Sequence, residues 1–203
     1  MRSGDLKSDL IRISQRCATR GWSPGTSGNL SVLNYEKMEV YIKRSGSSMM
    51  DLEMGNVLTL DLDGNVIQGE GSPSKEVNFH LGIYKSRKEV GAVLHVHPPF
   101  ATAFATSGIE LPIITVPAKI VLKKIPTIEY IPPGTVELAK RVVESFKDTK
   151  VCSLLLKGHG LISIGKGIDE AYHIAEWTEN AAHLVFLTSV LRNLKEIAVP
   201  FDK

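Results

Sequence analysis

Leu6, Leu10, Ile13 and Cys17 recur at steps of three and four, which predicts an amphipathic helix ending near Gly21. Glycine, proline and hydroxyls then crowd the stretch from Gly21 to Ser31, which reads as a shaped loop. Met38, Val40 and Ile42 alternate with polar neighbours, the period of a half-buried strand, and Ser45-Gly46-Ser47-Ser48 breaks it. Runs from Val57 to Asp61 and from Val66 to Gln68 flank Asp63-Gly64-Asn65, a hairpin signal. Ser72 as N-cap and Pro73 at the first helical position predict a helix carrying Val77, Leu81 and Tyr84. Val93 to His97 reads as a strand stopped by Pro98-Pro99, followed by a helix over Phe100–Thr106 and a short strand from Leu111 to Val116.

Past a Tyr130–Gly134 loop, Thr135 caps a helix through Val136, Ala139, Val142, Val143 and Phe146. Val151–Leu156 and Leu161–Ile164 are strands joined by the turn Lys157-Gly158-His159-Gly160. The last helix spans Ile168–Leu194 with apolar residues on two faces, so it is either buried or packed on another subunit.

Length and composition narrow the function. A chain of 203 residues fits one domain. Its 24 basic and 22 acidic residues are interspersed, giving a net charge of +2, which argues against nucleic-acid or membrane-surface partners and for a small polar substrate. With no long apolar run and no leader pattern, the expected setting is cytoplasmic. Cys17 and Cys152 sit in apolar surroundings and read as unpaired thiols.

The candidate chemistry lies on strand ends and turns. His95 and His97 leave the same face of one strand, either to converge on an ion or simply to half-bury. His159, between two glycines, is a turn residue or a third imidazole, and three is the number a catalytic zinc site uses with its fourth position open. The 21–31 loop and the 45–48 turn are ordinary connections or anion cradles, and Ser74 and Lys75 would strengthen an anion site at a helix start. Glu76 complements the helix dipole or acts as a base, and His80, one turn on, is a candidate partner for it. His173, Glu176 and Glu179 form a rival cluster with the spacing of a solvated helix face.

Five motifs, in order, carry a family resemblance: Gly25-Thr26-Ser27-Gly28-Asn29-Leu30-Ser31, Ser45-Gly46, Pro73-Ser74-Lys75-Glu76, His95-Val96-His97 and Gly158-His159-Gly160-Leu161. Together they resemble the class II aldolase/adducin-head family over nearly the whole chain. The resemblance implies one three-layer α/β domain over residues 1–203, with a central, mainly antiparallel sheet and helices on both faces. It also implies a homotetramer with active sites between subunits. By position, His95, His97 and His159 become ligands of a divalent metal, most often zinc, and Glu76 becomes the acid/base residue. Gly28, Asn29, Ser45, Gly46, Ser74 and Lys75 fall on a substrate-phosphate pocket. The implied reaction is retro-aldol cleavage of a small ketose 1-phosphate to dihydroxyacetone phosphate and an aldehyde, through an enediolate whose charge the metal stabilises.

Val116 stands where the family's aldolases carry a tyrosine, which leaves Tyr130 as a proton donor or a packing aromatic. Lys75 replaces a pocket serine and resembles members that decarboxylate phosphorylated 3-keto sugar acids; Trp22-Ser23-Pro24-Gly25 resembles the methylthioribulose-phosphate dehydratases. A non-enzymatic assembly module, like the adducin heads, predicts loss of the histidines and Glu76, which this chain retains.

Overall fold

In a computed structural model, which describes residues 5–194, the helices are α1 (Leu6–Thr19), α2 (Val77–Ser86), α3 (Pro99–Ser107), α4 (Val116–Leu122), α5 (Val136–Phe146) and α6 (Ile168–Leu194). The strands are β1 (Asn29–Asn34), β2 (Glu39–Lys43), β3 (Val57–Leu60), β4 (Val66–Gln68), β5 (Ala92–Val96), β6 (Thr127–Ile128), β7 (Ser153–Leu156) and β8 (Gly160–Gly165). They form one sheet in the order β4-β3-β2-β1-β5-β8-β7-β6, antiparallel throughout except for the β6–β7 pair. Residues 1–4 and 195–203 of the expected domain lie outside the described residues.

Alternation along the strands feeds two cores. Ala92, Leu94 and Val96 of β5 join a cluster with residues of α1, α3, α4 and α6, whereas Val93 joins one with residues of α2 and α5. The result is three layers, helix–sheet–helix, as the resemblance implied. Side-chain caps start two of the helices: Asp5 accepts from Lys7 N at 3.2 Å, and Thr135 accepts from Leu138 N at 3.2 Å.

The helix expected from Ser72 and Pro73 begins later, at Val77. Pro73 is instead bridged to Arg44, and Ser45 N donates to Ser72 O at 2.9 Å, so the segment is held extended, as the residue before a proline prefers. This correction matters, because it joins the 44–46 and 72–75 segments into one wall. The strand expected over Leu111–Val116 is also absent: Pro112 and Pro117 each remove a ladder donor, and Pro117 sits in the first turn of α4. Part of the 21–31 loop is strand, since β1 starts at Asn29.

The final helix divides. Ala171, Tyr172, Ala175, Thr178 and Ala182 are buried, whereas Phe186, Leu187, Val190 and Leu191 are exposed, the last at 62%. Cys17 and Cys152 are free thiols.

Candidate active site

Pairing register brings the site together. β1 and β8 flank β5, with Asn29 opposite His95 on one side and Ile162 opposite it on the other. The first residue of β1, the end of β5 and the turn entering β8 therefore share one edge of the sheet. Gly160 has to be glycine for this closeness, because a Cβ there would lie 2.7 Å from Val96 O and 2.8 Å from the His97 ring. Gly158 takes φ +64°, turning the chain so that His159 meets the pair on β5.

His95, His97 and His159 each present a ring nitrogen, and the three lie within 4.8 Å of one another; they are the one such group of metal-ligating side chains among the described residues. His95 Nδ1 donates to Leu161 O at 3.0 Å, which leaves its Nε2 lone pair facing His159 Nε2 at 3.2 Å. Burial, followed by the charge of His159, pushes His95 down to about 3, so it is neutral at ordinary pH. Burial, then the charges of His95 and His159, push His97 down to about 3 as well. That nitrogen pair is held either by a proton carried on His159 Nε2 or by a cation shared between the two rings. The Nδ1 atoms of His97 and His159 and Glu76 Oε1 are buried with no hydrogen-bond partner. That donor set fits a divalent ion taken by neutral nitrogens.

Glu76, 8% exposed, closes the cluster: its Oε2 is 3.4 Å from His95 Nε2 and its Oε1 is 3.5 Å from His159 Nε2. Its orientation is set by a chain of hydrogen bonds. A carboxylate only accepts, so the Asn29 amide N–H faces Glu76 Oε2 at 2.9 Å and its carbonyl faces His80 Nε2 at 2.6 Å. His80 Nε2 must then carry the proton, and Nδ1 accepts from the Ser31 hydroxyl at 2.7 Å. Ser31 Oγ is left to accept from Tyr84 OH at 2.7 Å. His80 thus reaches Glu76 through Asn29 and not directly, as its helical spacing had suggested. Full burial drives this imidazole down to about 3, consistent with the neutral tautomer.

A cavity of about 280 Å³ runs from the histidines to the turns. Gly28, Asn29, Ser45, Gly46, Ser74 and Lys75 all line it, so each expected phosphate-pocket residue is brought to the same space. Lys43 lines it too, and the sequence reading missed it. The signal was faint: a lysine as the last residue of a strand, just before a hydroxyl-rich turn.

Elsewhere, Glu179 accepts from Phe100 N at 3.0 Å and Ala101 N at 2.7 Å at the start of α3, Glu176 pairs with Arg20, and His183 stacks on Phe100. The two carboxylates of the rival cluster are therefore engaged by backbone N–H groups and by Arg20, and His173 is exposed. Tyr130 is exposed, with its ring beside Gly158.

Among solved structures, an L-fuculose 1-phosphate aldolase matches with a TM-score of 0.82 at 29% identity, over 100% of this chain and 92% of that one. The fold and the three-imidazole edge thereby define the class, a class II aldolase domain. The family follows from the sequence itself: the Class II Aldolase and Adducin N-terminal domain model matches residues 8–186, and the chain belongs to that family. An L-fuculose phosphate aldolase of Methanococcus maripaludis is 35% identical over 188 residues, 93% of this chain and 98% of its own. A 5-deoxy-D-ribulose 1-phosphate aldolase of Bacillus thuringiensis serovar kurstaki is 32% identical over 182 residues, covering 90% and 84%.

Proposed function

We propose that this chain is a metal-dependent sugar-phosphate aldolase that cleaves a small ketose 1-phosphate to dihydroxyacetone phosphate and an aldehyde. One observation carries the reading: three imidazole nitrogens within 4.8 Å, with the Glu76 carboxylate against them, at one end of a cavity whose other end is glycine, hydroxyl and ammonium. His95, His97 and His159 would hold the divalent ion, and zinc is the ion that three imidazoles with an open fourth position suit. When bound, such an ion supplies Lewis-acid stabilisation of negative charge on substrate oxygens.

The residues of the chain do the rest. Ser45, Gly46, Gly28 and Ser74 receive the phosphate, so binding energy far from the reacting bond serves orientation. As the carbon–carbon bond breaks, the hydroxyl proton leaves the fragment that becomes the aldehyde, and Tyr130 is the candidate to relay it to the Glu76 carboxylate. The electron pair stays on the other fragment as an enediolate. Glu76 delivers a proton to that carbon through its unpartnered Oε1, while Asn29 holds Oε2 in place. The same reading includes cytoplasmic residence and a homotetramer with active sites between subunits. The exposed apolar end of α6 supports assembly, and no described helix is long and apolar enough to cross a membrane.

Lys75, exposed at the rim of the cavity, supports a second reading, decarboxylation of a phosphorylated 3-keto sugar acid, because an ammonium there would attract the carboxylate. The deciding experiment pairs elemental analysis of wild type and His97→Ala with a dihydroxyacetone-phosphate release assay on a panel of ketose 1-phosphates. About one divalent ion per chain, lost with His97 and accompanied by metal-dependent release, is expected. Bound metal with carbon dioxide evolved from the sugar acid, and no release from any ketose, would replace the aldolase reading with the second one.

A further inference from the structure

The metal-bearing end of β5 runs into α3 through Pro98 and Pro99. A helix leaves its first N–H groups without partners of its own, and here two of those positions are prolines, which have no N–H to place. Thr102 N donates to Pro98 O at 2.9 Å, so Phe100 N and Ala101 N are the two that remain. Pro98, at the cap position, has no side-chain acceptor for them. Glu179, from the middle of α6, takes both: Oε1 accepts from Phe100 N at 3.0 Å and Oε2 from Ala101 N at 2.7 Å. The carboxylate also faces the positive end of the helix dipole. His183, one turn further along α6, stacks on the Phe100 ring with centroids 3.9 Å apart. Burial raises the Glu179 carboxyl against the opposing pull of the two N–H groups and of His183, so a carboxylate is kept here where solvation is poor.

Only the two prolines separate His97 from Phe100. Their rings fix φ, so this short link carries the position of α3 to the histidine. On its other side, His97 N donates to Trp22 O at 2.8 Å. The ring is not tied down as that of His95 is: His95 Nδ1 donates to Leu161 O, whereas His97 Nδ1 is buried with no hydrogen-bond partner. The place of His97 in the cluster is therefore set through its backbone. We propose that Glu179 is a positioning residue for the metal site, anchoring the start of α3 on α6 and so fixing where His97 presents its nitrogen to the divalent ion. Glu179 lies outside the candidate cavity, in a separate hollow with Trp22 and Trp177. Glu176, on the same helix, pairs with Arg20 and leaves the α3 N–H groups alone, so the role belongs to one carboxylate and not to the charge of α6 in general. The proposal rests on the three-imidazole metal reading and adds to it the residue that holds one ligand in register.

The test is cobalt(II) affinity, with the visible spectrum of the cobalt-loaded protein, for wild type, Glu179→Gln and Glu176→Gln. The d–d bands of cobalt(II) report the arrangement of its ligands. Glutamine keeps the size of Glu179 and one acceptor but sets an amide NH₂ against the second backbone N–H. Glu179→Gln is expected to bind cobalt about ten- to a hundredfold more weakly, the scale on which supporting hydrogen bonds act at metal sites, and to shift the bands. Glu176→Gln is expected to keep the wild-type affinity and spectrum. A merely structural role would lower the urea midpoint of Glu179→Gln and leave the cobalt affinity and bands of its folded form unchanged, and that result overturns the proposal. An equal loss in Glu176→Gln overturns it too, because the effect would then belong to the charge of α6. Should Glu179→Gln fail to fold, Glu179→Asp decides: its carboxylate, one methylene shorter, is too short to hold both N–H groups, and wild-type affinity and bands there overturn the proposal equally. The wild-type titration keeps the two ideas apart. A wild type that binds no cobalt removes the metal reading and the proposal with it, whereas tight wild-type binding that Glu179→Gln leaves untouched removes the proposal alone.

Discussion

The two ends of the candidate cavity hold buried polar groups in contrasting ways. At the histidine end the donors sit on strand ends and one glycine-pinned turn, burial holds His95 and His97 neutral, and several nitrogen and oxygen atoms have no hydrogen-bond partner. At the other end the groups sit on turns that are hydrogen-bonded to each other, and the charge is an ammonium held by carbonyls. The first end is a donor set for a cation, and the second presents an ammonium to an anion. A ligand that is electron-rich at its carbonyl and negatively charged at its far terminus satisfies both ends together, so the contrast orients the ligand before any specific contact is considered.

The sharpest way to break the contrast is to remove the cation end. His97→Ala or His159→Ala should lose bound metal by elemental analysis and reduce turnover on the order of a thousandfold or more, while glycerol 1-phosphate affinity falls far less. Glu76→Gln should keep the metal and lower kcat by about a hundred- to ten-thousandfold. Retention of near wild-type kcat would remove Glu76 from the proton-transfer role.

A smaller effect separates the ends by pH. The folded pKa of Lys43 lies below its unfolded value, so the folded state sheds this proton first. The full penalty is present below about pH 8 and is relieved as pH rises from 8 to 10.5. Denaturant titrations should therefore show Lys43→Met more stable than wild type by up to about 3 kcal/mol at pH 7, with the difference closing by pH 10.5. Gly28 joins the two ends: it takes φ +73°, and a Cβ there would meet His95 O at 3.1 Å and Met49 Sδ at 3.0 Å. Gly28→Ala is expected to cost about 2 kcal/mol in urea unfolding.

How much of this was legible depended on whether a residue's role was local. His95 and His97 could be placed together because the strand period is two, and His159 stood out between two glycines, of which Gly160 lies against Val96 and His97 and Gly158 takes the positive φ of the turn. The start of α2 was misplaced because Ser72-Pro73 has the local chemistry of a helix start, and what overrides it is a bridge to Arg44, 29 positions earlier in the chain. Nor could the two-residue β6 carry a pattern of its own. Lys43 was hidden for the same reason. A lysine at the end of a strand is ordinarily solvated, and only the meeting of the 26 and 47 turns over it makes it a buried charge.

The hydrogen-bonded chain from Tyr84 through Ser31, His80 and Asn29 to Glu76 has a heritable consequence. Each link reads its direction from the one before it, starting at a carboxylate that can only accept. Asp at position 29 would set two acceptors face to face, and a residue without a ring N–H at position 80 would leave the amide free to turn over. A mutation at one of these five positions is therefore tolerated only with a matching change beside it. Sequences descended from this one should vary at these sites in concert, a signature that an alignment of its lineage could read without a single assay.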